Sequence, residues 1–477
     1  MRAMIYLAAA LLVACTTPYY PPSIDNPSGG TSAEDMAIID YIDKRLTEEY
    51  YWLDEVEERS ASFDRRLPWK SYLDRSLRSL TTNGDDGYLN NKGERVLYSY
   101  IRELESDTRT AMMTLGFGIR LYYTIVTIGE GQYGFVIDDV YEGSPAAEAG
   151  VRRGDIIGYI DGEAITSGNY MTLFNDIQSN RRDSLRLTLH RQAAESEQDK
   201  SLVATLHRAN YYATPVAHHS VIEIDNRRIG YLVYASFDSD YDEELKAALG
   251  ELAAAGIDDL ILDLRDNSGG SVTSAVTLCS SIVGDSHLGE LIFELRRNPK
   301  NMLRTEPTLC YIEQSEVPLN LDELTVICST YSASASEMVI TALRGLDIPV
   351  RLIGSRTEGK NCGMDVTRRT ISGRYLEYAP ITFMCYNAKG FGDYGEGIEA
   401  DVDLTKENSY GVSDEYYPLP RCEWGELRYD IALATAVAAI TGRSIEQRAT
   451  RSDFDGAVEA AIPIAREVRG ARLEEWR

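Results

Sequence analysis

The sequence predicts a multidomain α/β protein, with a helical region near its N-terminus and a crossover sheet further along. Two patterns carry that prediction. Ala37, Ile38, Ile39, Tyr41, Ile42 and Leu46 recur at helical spacing with charges on the other face, and Ser32 with Glu34 and Asp35 makes a suitable helix start. From Arg228 onward, residues 229–234 read as a strand, 242–255 as an amphipathic helix and 259–264 as a second strand, followed by a helix from about Ser274. Strands that alternate with helices imply a crossover α/β sheet.

Taken in order, the chain opens with Arg2 and an apolar run over residues 5–13, far too short to span a bilayer. The run ends Leu12-Val13-Ala14-Cys15, which looks like a bacterial lipobox. Residues 1–14 are then a lipoprotein signal peptide, and an acylated Cys15 anchors the mature chain to the membrane of the cell envelope. An ordinary signal peptide cut near Ala14 is the other reading, and both export the protein. Thr16 rather than aspartate after the cysteine would favour the outer membrane in enteric-type bacteria. Residues 15–33, with Pro18, Pro21, Pro22, Pro27 and Gly29-Gly30, read as a tether.

A helical region is expected over 34–110, its segments running to about Glu105 with a break at Thr81-Thr82-Asn83-Gly84-Asp85-Asp86-Gly87. Tyr50, Tyr51 and Trp52 within it read as packing residues. His218-His219 fall in a linker-like stretch before the strand at 229–234, within a core assigned to 215–445. Residues 365–370 and 374–385, joined by Ser372-Gly373, suggest an antiparallel hairpin extending the core sheet. Residues 428–441 and 452–468 read as helices, the second within a C-terminal tail over 446–477.

A formal charge of −27 argues against nucleic acid, which rewards clustered Lys and Arg. No HExxH and no CxxC pattern occurs, so no metal or other cofactor is expected. Six cysteines besides Cys15 lie scattered, and free buried thiols are as plausible as disulfides in an exported chain.

The chemistry concentrates in three motifs. Ser332-Ala333-Ser334-Ala335-Ser336-Glu337 lies where the apolar run Leu324–Cys328 gives way to a helical stretch. A serine there either caps the helix or exposes its hydroxyl beside backbone N–H groups that have no internal partner. Upstream lies Asp263-Leu264-Arg265-Asp266-Asn267-Ser268-Gly269-Gly270, a buried strand pattern ending in a glycine pair; downstream lies Gly354-Ser355-Arg356-Thr357-Glu358-Gly359-Lys360.

In that order the motifs resemble the C-terminal processing (tail-specific) family of serine peptidases. The resemblance implies a peptidase core in which Ser334 is the nucleophile, Lys360 the general base, and the amides of Gly270 and Ala335 the oxyanion hole, with Gly269 the fallback for the first donor. Ser332 and Ser336 are then packing or capping residues. A lysine can take the serine proton only when burial favours its neutral form, and the small residues around Lys360 suit that, whereas neighbouring Glu358 opposes it unless it points away. Residues 111–195 resemble a PDZ module: Leu115-Gly116-Phe117-Gly118-Ile119 is similar to its carboxylate-binding loop, and Gly143-Ser144-Pro145-Ala146, Ala149-Gly150-Val151 and Gly154-Asp155-Ile156-Ile157 follow in order. The amides around Gly116, Phe117, Gly118 and Ile119 would then hold a substrate C-terminus.

The chain departs from the family in three places. Ser334 and Lys360 are 26 positions apart, one more than usual. Met364 stands where many relatives carry a glutamine that orients the lysine, so Asn361 or another group substitutes, or packing alone holds the base. Ala400 replaces a proline in Gly397-Ile398-Glu399-Ala400-Asp401. None of the five histidines has a motif around it, which favours lysine over a Ser-His-Asp arrangement. The expected function is an envelope serine endopeptidase acting on proteins or peptides through their free C-termini; the alternative is a non-catalytic peptide-binding or scaffold lipoprotein on the same fold.

Overall fold

The structure, a computed structural model, describes residues 32–442 apart from 90–92, 105–112, 122–124, 179–181, 192–199, 225, 305, 410–412, 415–416 and 421. The signal peptide, Cys15, nearly all of the tether and the C-terminal tail lie outside the described residues. Among those described, no helix is long and apolar enough to cross a membrane.

The helix Ala33–Glu49 begins at Ser32, whose Oγ accepts the Asp35 N–H at 3.0 Å, and it buries Ile38, Ile39, Ile42 and Leu46. Helices Leu53–Arg59 and Trp69–Arg78 pack beside it. Beyond Thr81 the expectation of further helix fails. The chain instead forms strands Tyr88–Leu89, Arg95–Val96 and Tyr100–Glu103. Two buried carboxylates impose this course. Glu55 accepts the N–H and hydroxyl of both Thr81 and Thr82, and Asp86 accepts the Tyr50 hydroxyl and the amides of Tyr98 and Ser99. Tyr100–Glu103 then pairs antiparallel with Arg374–Ala379, sewing the N-terminal region to a distant part of the chain.

The second unit is a sheet in which Lys200–His207, Ser184–Arg191, Ile156–Ile160, Gln132–Val136 and Ile125–Gly129 are neighbours in that order. Leu185, Leu187 and Leu189 alternate inward along one strand and meet Leu173, Phe174 and Ile177 of the helix Tyr170–Gln178. Because Lys200–His207 completes the sheet, the module continues past residue 195. Met113–Gly116 pairs with Ala209–Tyr212, bringing the entry and exit of the module together.

The core sheet has the order Val216–Ile224, Arg227–Tyr234, Asp259–Asp263, Leu324–Cys328, Val350–Gly354, Val402–Asp403. All neighbours are parallel except the first pair. His218 and His219 thus lie on an antiparallel edge strand, and the linker expectation is corrected. Leu260, Leu262 and Leu264 face helices Asp242–Ala255, Val272–Val283 and Ala335–Gly345, while Ile261 packs on the opposite side with Ile431–Thr441. Both faces are covered, as a parallel sheet requires. The expected hairpin forms between Thr367–Ile371 and Arg374–Ala379, but it does not extend this sheet. Pro380 offers no N–H to a ladder, so the chain breaks there, and Ile381–Asn387 joins Leu291–Arg297 and Cys362–Met364 in a separate sheet.

For Glu55, burial raises the carboxyl, but the hydroxyls and amides of Thr82 and Thr81 outweigh it and hold it at about 2. Its stabilisation is therefore complete above its ordinary range and lost as pH falls through about 2. Glu55→Gln should cost about 1–2 kcal/mol at neutral pH, and urea titrations from pH 7 downward should show the gap closing toward pH 2. A gap independent of pH would contradict this account.

Candidate active site

Ser334 is the residue at which the turn after Leu324–Cys328 enters the helix Ala335–Gly345. Its φ of 55° lies in the left-handed region, unusual for a residue with a side chain and costing about 1–3 kcal/mol. Hydrogen bonds hold it there. The Ser334 N–H donates to Glu337 Oε2 at 2.9 Å, and the preceding Ala333 N–H donates to the Asn267 carbonyl at 3.1 Å. The flanking serines have structural partners: Ser332 Oγ donates to the Leu264 carbonyl at 2.7 Å and Ser336 Oγ to the Asn267 carbonyl at 2.9 Å. Ser334 lines an open cleft together with Gly270, Lys360, Met338, Met364 and Phe383.

The glycine pair reaches this cleft through the end of the strand Asp259–Asp263. The Phe237 N–H donates to the Gly269 carbonyl and the Ser271 N–H to the Phe237 carbonyl, a bridge that leaves the Gly270 amide outside the ladder. A Cβ on Gly270 would lie 1.8 Å from the Phe237 carbonyl oxygen, and one on Gly269 2.7 Å from Ser334 Cβ, so neither position admits a side chain. The Gly269 N–H donates to Asn267 Oδ1 at 2.8 Å, which removes it as the fallback donor. Ala335 is the first helical residue, and its amide has no acceptor within the helix.

The lysine loop is joined to the nucleophile turn by Glu337, a residue whose role the sequence reading did not assign. Its Oε1 accepts the Thr357 hydroxyl at 2.6 Å and the Gly359 N–H at 2.8 Å; Oε2 accepts the amides of Ser334 at 2.9 Å and Lys360 at 2.8 Å. Burial pushes the carboxyl up to about 7, against the Thr357 hydroxyl and the Gly359 and Lys360 amides, which lower it. The Ser-x-x-Glu pattern of a capping box was the available signal. On the far side, the Ile398 N–H donates to Thr357 Oγ1 and the Thr357 N–H to the Ile398 carbonyl, so the segment from Gly397 to Asp401 braces the loop.

Lys360 Nζ lies over the Tyr98 ring, 4.8 Å from its centroid, and among the described residues no hydrogen bond joins it to Ser334 Oγ. Met364 lines the cleft with no polar atom to direct the lysine, and Asn361 Nδ2 donates instead to the Gly392 carbonyl at 3.0 Å. Among the described residues, no histidine lines the cleft. The six described cysteines are unpaired, and Cys362, also in the cleft wall, directs its thiol to the Asp85 carbonyl.

In the second unit, Gly116 ends a strand, Phe117 is buried, and Gly118 has a φ of 80°. The Phe117 carbonyl accepts the Ala146 N–H and the Gly118 carbonyl the Tyr141 N–H, while Ile119 starts a strand paired with Asp139–Val140. This unit docks on the core through Trp424, whose Nε1 donates to Asp139 and whose ring lies 3.5 Å from the Arg153 guanidinium.

Glu337→Gln replaces one acceptor oxygen by an amide nitrogen facing donors, leaving two of the four contacts unmade. A loss of about 2–4 kcal/mol in denaturant unfolding is expected. Unchanged stability would mean that the carboxylate does not join the two loops.

Residues 228–404 match peptidase family S41, and residues 136–191 match the PDZ domain. A Staphylococcus aureus protein described as a CtpA-like serine protease is 25% identical over 273 residues, covering 57% of this chain and 50% of the relative. Its Staphylococcus haemolyticus counterpart is 23% identical over 270 residues, with the same coverage of 57% and 50%. The chain thus spans about half the length of the curated relatives it matches. A solved Bacteroides fragilis structure described as an S41 protease shares the fold, with 21% identity and a TM-score of 0.64 over 84% of this chain and 97% of that one. The S41 match thus takes in the parallel part of the core sheet, the glycine pair, the serine turn and the lysine loop, and the PDZ match lies ahead of it.

Proposed function

We propose that this chain is a serine endopeptidase of the C-terminal processing type, with Ser334 as nucleophile and Lys360 as general base. The observation that carries the reading is the meeting of three elements in one cleft: a serine on a strained strand-to-helix turn, a lysine and a glycine pair. Ser334 Oγ attacks the scissile carbonyl carbon as its proton passes to the neutral Lys360 amine. The carbonyl oxygen gains the negative charge and is held by the amides of Gly270 and Ala335, a donor pair in which each member contributes about 3 kcal/mol. Collapse expels the amine with a proton from the lysine ammonium, and water then hydrolyses the acyl-enzyme by the same steps. Met338, Met364 and Phe383 around the serine favour an apolar side chain beside the bond that is cut. The PDZ loop at Gly116, Phe117, Gly118 and Ile119 receives the free C-terminus of a protein or peptide substrate.

A second reading, a peptide-binding protein without catalysis, draws on Met364 and on the contact of Lys360 with Tyr98. A fluorophosphonate probe separates the two. It should label wild type at Ser334, and a folded Ser334→Ala protein should lose at least about a thousandfold in peptide cleavage. Lys360→Arg should be nearly as inactive as Lys360→Ala, because a guanidinium stays protonated and cannot accept the serine proton. No labelling, or an active Ser334→Ala protein, favours the binding reading or another nucleophile.

Amidating the substrate's C-terminus tests the PDZ assignment. It removes a charge-assisted contact worth about 1.5–3 kcal/mol, and cleavage at limiting substrate should fall roughly 10- to 150-fold. Equal rates on free and amidated peptides would confine the PDZ domain to a bracing or gating part.

A further inference from the structure

We infer that Tyr98, contributed by the N-terminal region, is the positioning residue for Lys360, in the place left without a polar group by Met364. The inference rests on the assignment of Lys360 as base. Three observations support it. The lysine Nζ lies 4.8 Å from the Tyr98 ring centroid, within the range at which an ammonium is attracted to the negative face of an aromatic ring. Of the two positions the sequence offered for this role, Met364 presents a thioether, and the Asn361 side chain is turned to the Gly392 carbonyl, to which its Nδ2 donates. The ring itself is fixed from several sides. Its hydroxyl donates to Glu358 Oε1 at 3.2 Å, its backbone N–H donates to the buried Asp86 carboxylate at 3.1 Å, and the Tyr88 ring lies 5.8 Å away.

The arrangement also involves Glu358. Beside a catalytic lysine, this carboxylate would oppose the neutral form the mechanism needs. Accepting the Tyr98 hydroxyl gives it a partner on the same tyrosine that receives the ammonium. The catalytic consequence lies in the proton transfer. Lys360 begins the step as an amine and ends it as an ammonium, and the ring stabilises only the second. A group that orients a base and favours the charge it acquires acts as the aspartate does toward histidine in a Ser-His-Asp triad. Here the orienting group comes from outside the S41-matched residues. The loop that carries it is tied to the lysine loop a second time, where the Cys362 thiol donates to the Asp85 carbonyl.

The test is steady-state cleavage of an unstructured peptide by the full chain carrying substitutions at position 98. Tyr98→Phe keeps the ring face and should retain kcat within about twofold. Tyr98→Leu removes the face and should lower kcat by about 3- to 30-fold, with KM and thermal midpoint close to wild type. A graded series of fluorinated phenylalanines incorporated at position 98 draws charge from the ring without changing its shape, and kcat should fall stepwise with fluorination even if Tyr98→Leu does not fold. A fluorination series with constant kcat overturns the inference, as does a Tyr98→Phe protein as impaired as Tyr98→Leu, which would transfer the role to the hydroxyl and Glu358. Ser334→Ala and Lys360→Ala are measured alongside. Were either to remain active, the dyad assignment would fall; inactive dyad variants with an unresponsive position 98 would remove Tyr98 alone.

Discussion

The buried carboxylate of Glu337 is the constraint on which the cleft depends. It stands on the first turn of the helix that follows Ser334 and accepts one donor from the serine turn and three from the lysine loop. Two irregular segments, neither of which has secondary structure to hold it, are thereby set against each other through the two oxygens of one group. A charge in a dry interior is tolerable only when fully hydrogen-bonded, so the arrangement is close to all-or-none. The positive φ of Ser334 is sustained by the same bonds, which direct its amide inward and leave its hydroxyl in the cleft.

The opposite wall hangs from the strand end Asp263-Leu264-Arg265-Asp266-Asn267. Arg265, almost fully buried, forks between Asp263 and Asp430, and Asp430 caps the helix Ile431–Thr441 on the other side of the sheet. Removing one member of such a group leaves an unpaired buried charge, which costs far more than the intact group contributes. Asn267 finishes the strand end by binding the Tyr234 carbonyl, the Gly269 amide and, through its own carbonyl, the serine turn. Trp424 lies between the Arg153 and Arg265 guanidinium groups, so the PDZ domain rests on the structure that presents Gly270.

The N-terminal region is part of this assembly rather than an appendage. Its strand Tyr100–Glu103 is completed by Arg374–Ala379, and Ser99 Oγ accepts the Ile381 N–H just beyond Pro380. The two carboxylates that turn its chain out of helix, Glu55 and Asp86, place Asp85 and Tyr98 beside Cys362 and Lys360. Local order in one domain thereby shapes the cleft wall of another.

Local patterns sufficed for the elements of the core sheet, because their information is short-range. The residues forming Asp242–Ala255 and Leu324–Cys328 repeat apolar side chains at a period, or in a run, that one element alone can satisfy, and Ser32 caps its helix from a position next to it. The three motifs likewise lie in contiguous stretches, and a Cβ on the glycines among them would fall within 3 Å of neighbouring backbone atoms. Where pairing decided the outcome, local reading failed. Residues 88–89 and 95–96 became strands by pairing with each other and 100–103 by pairing with 376–379, and His218-His219 joined a sheet edge in the same way. Glu337 was visible only as a capping pattern, and Tyr98 carried no signal at all. Its partner, Lys360, lies in another domain, and a contact between residues so far apart in the chain is specified by how the domains pack, which only the tertiary structure decides.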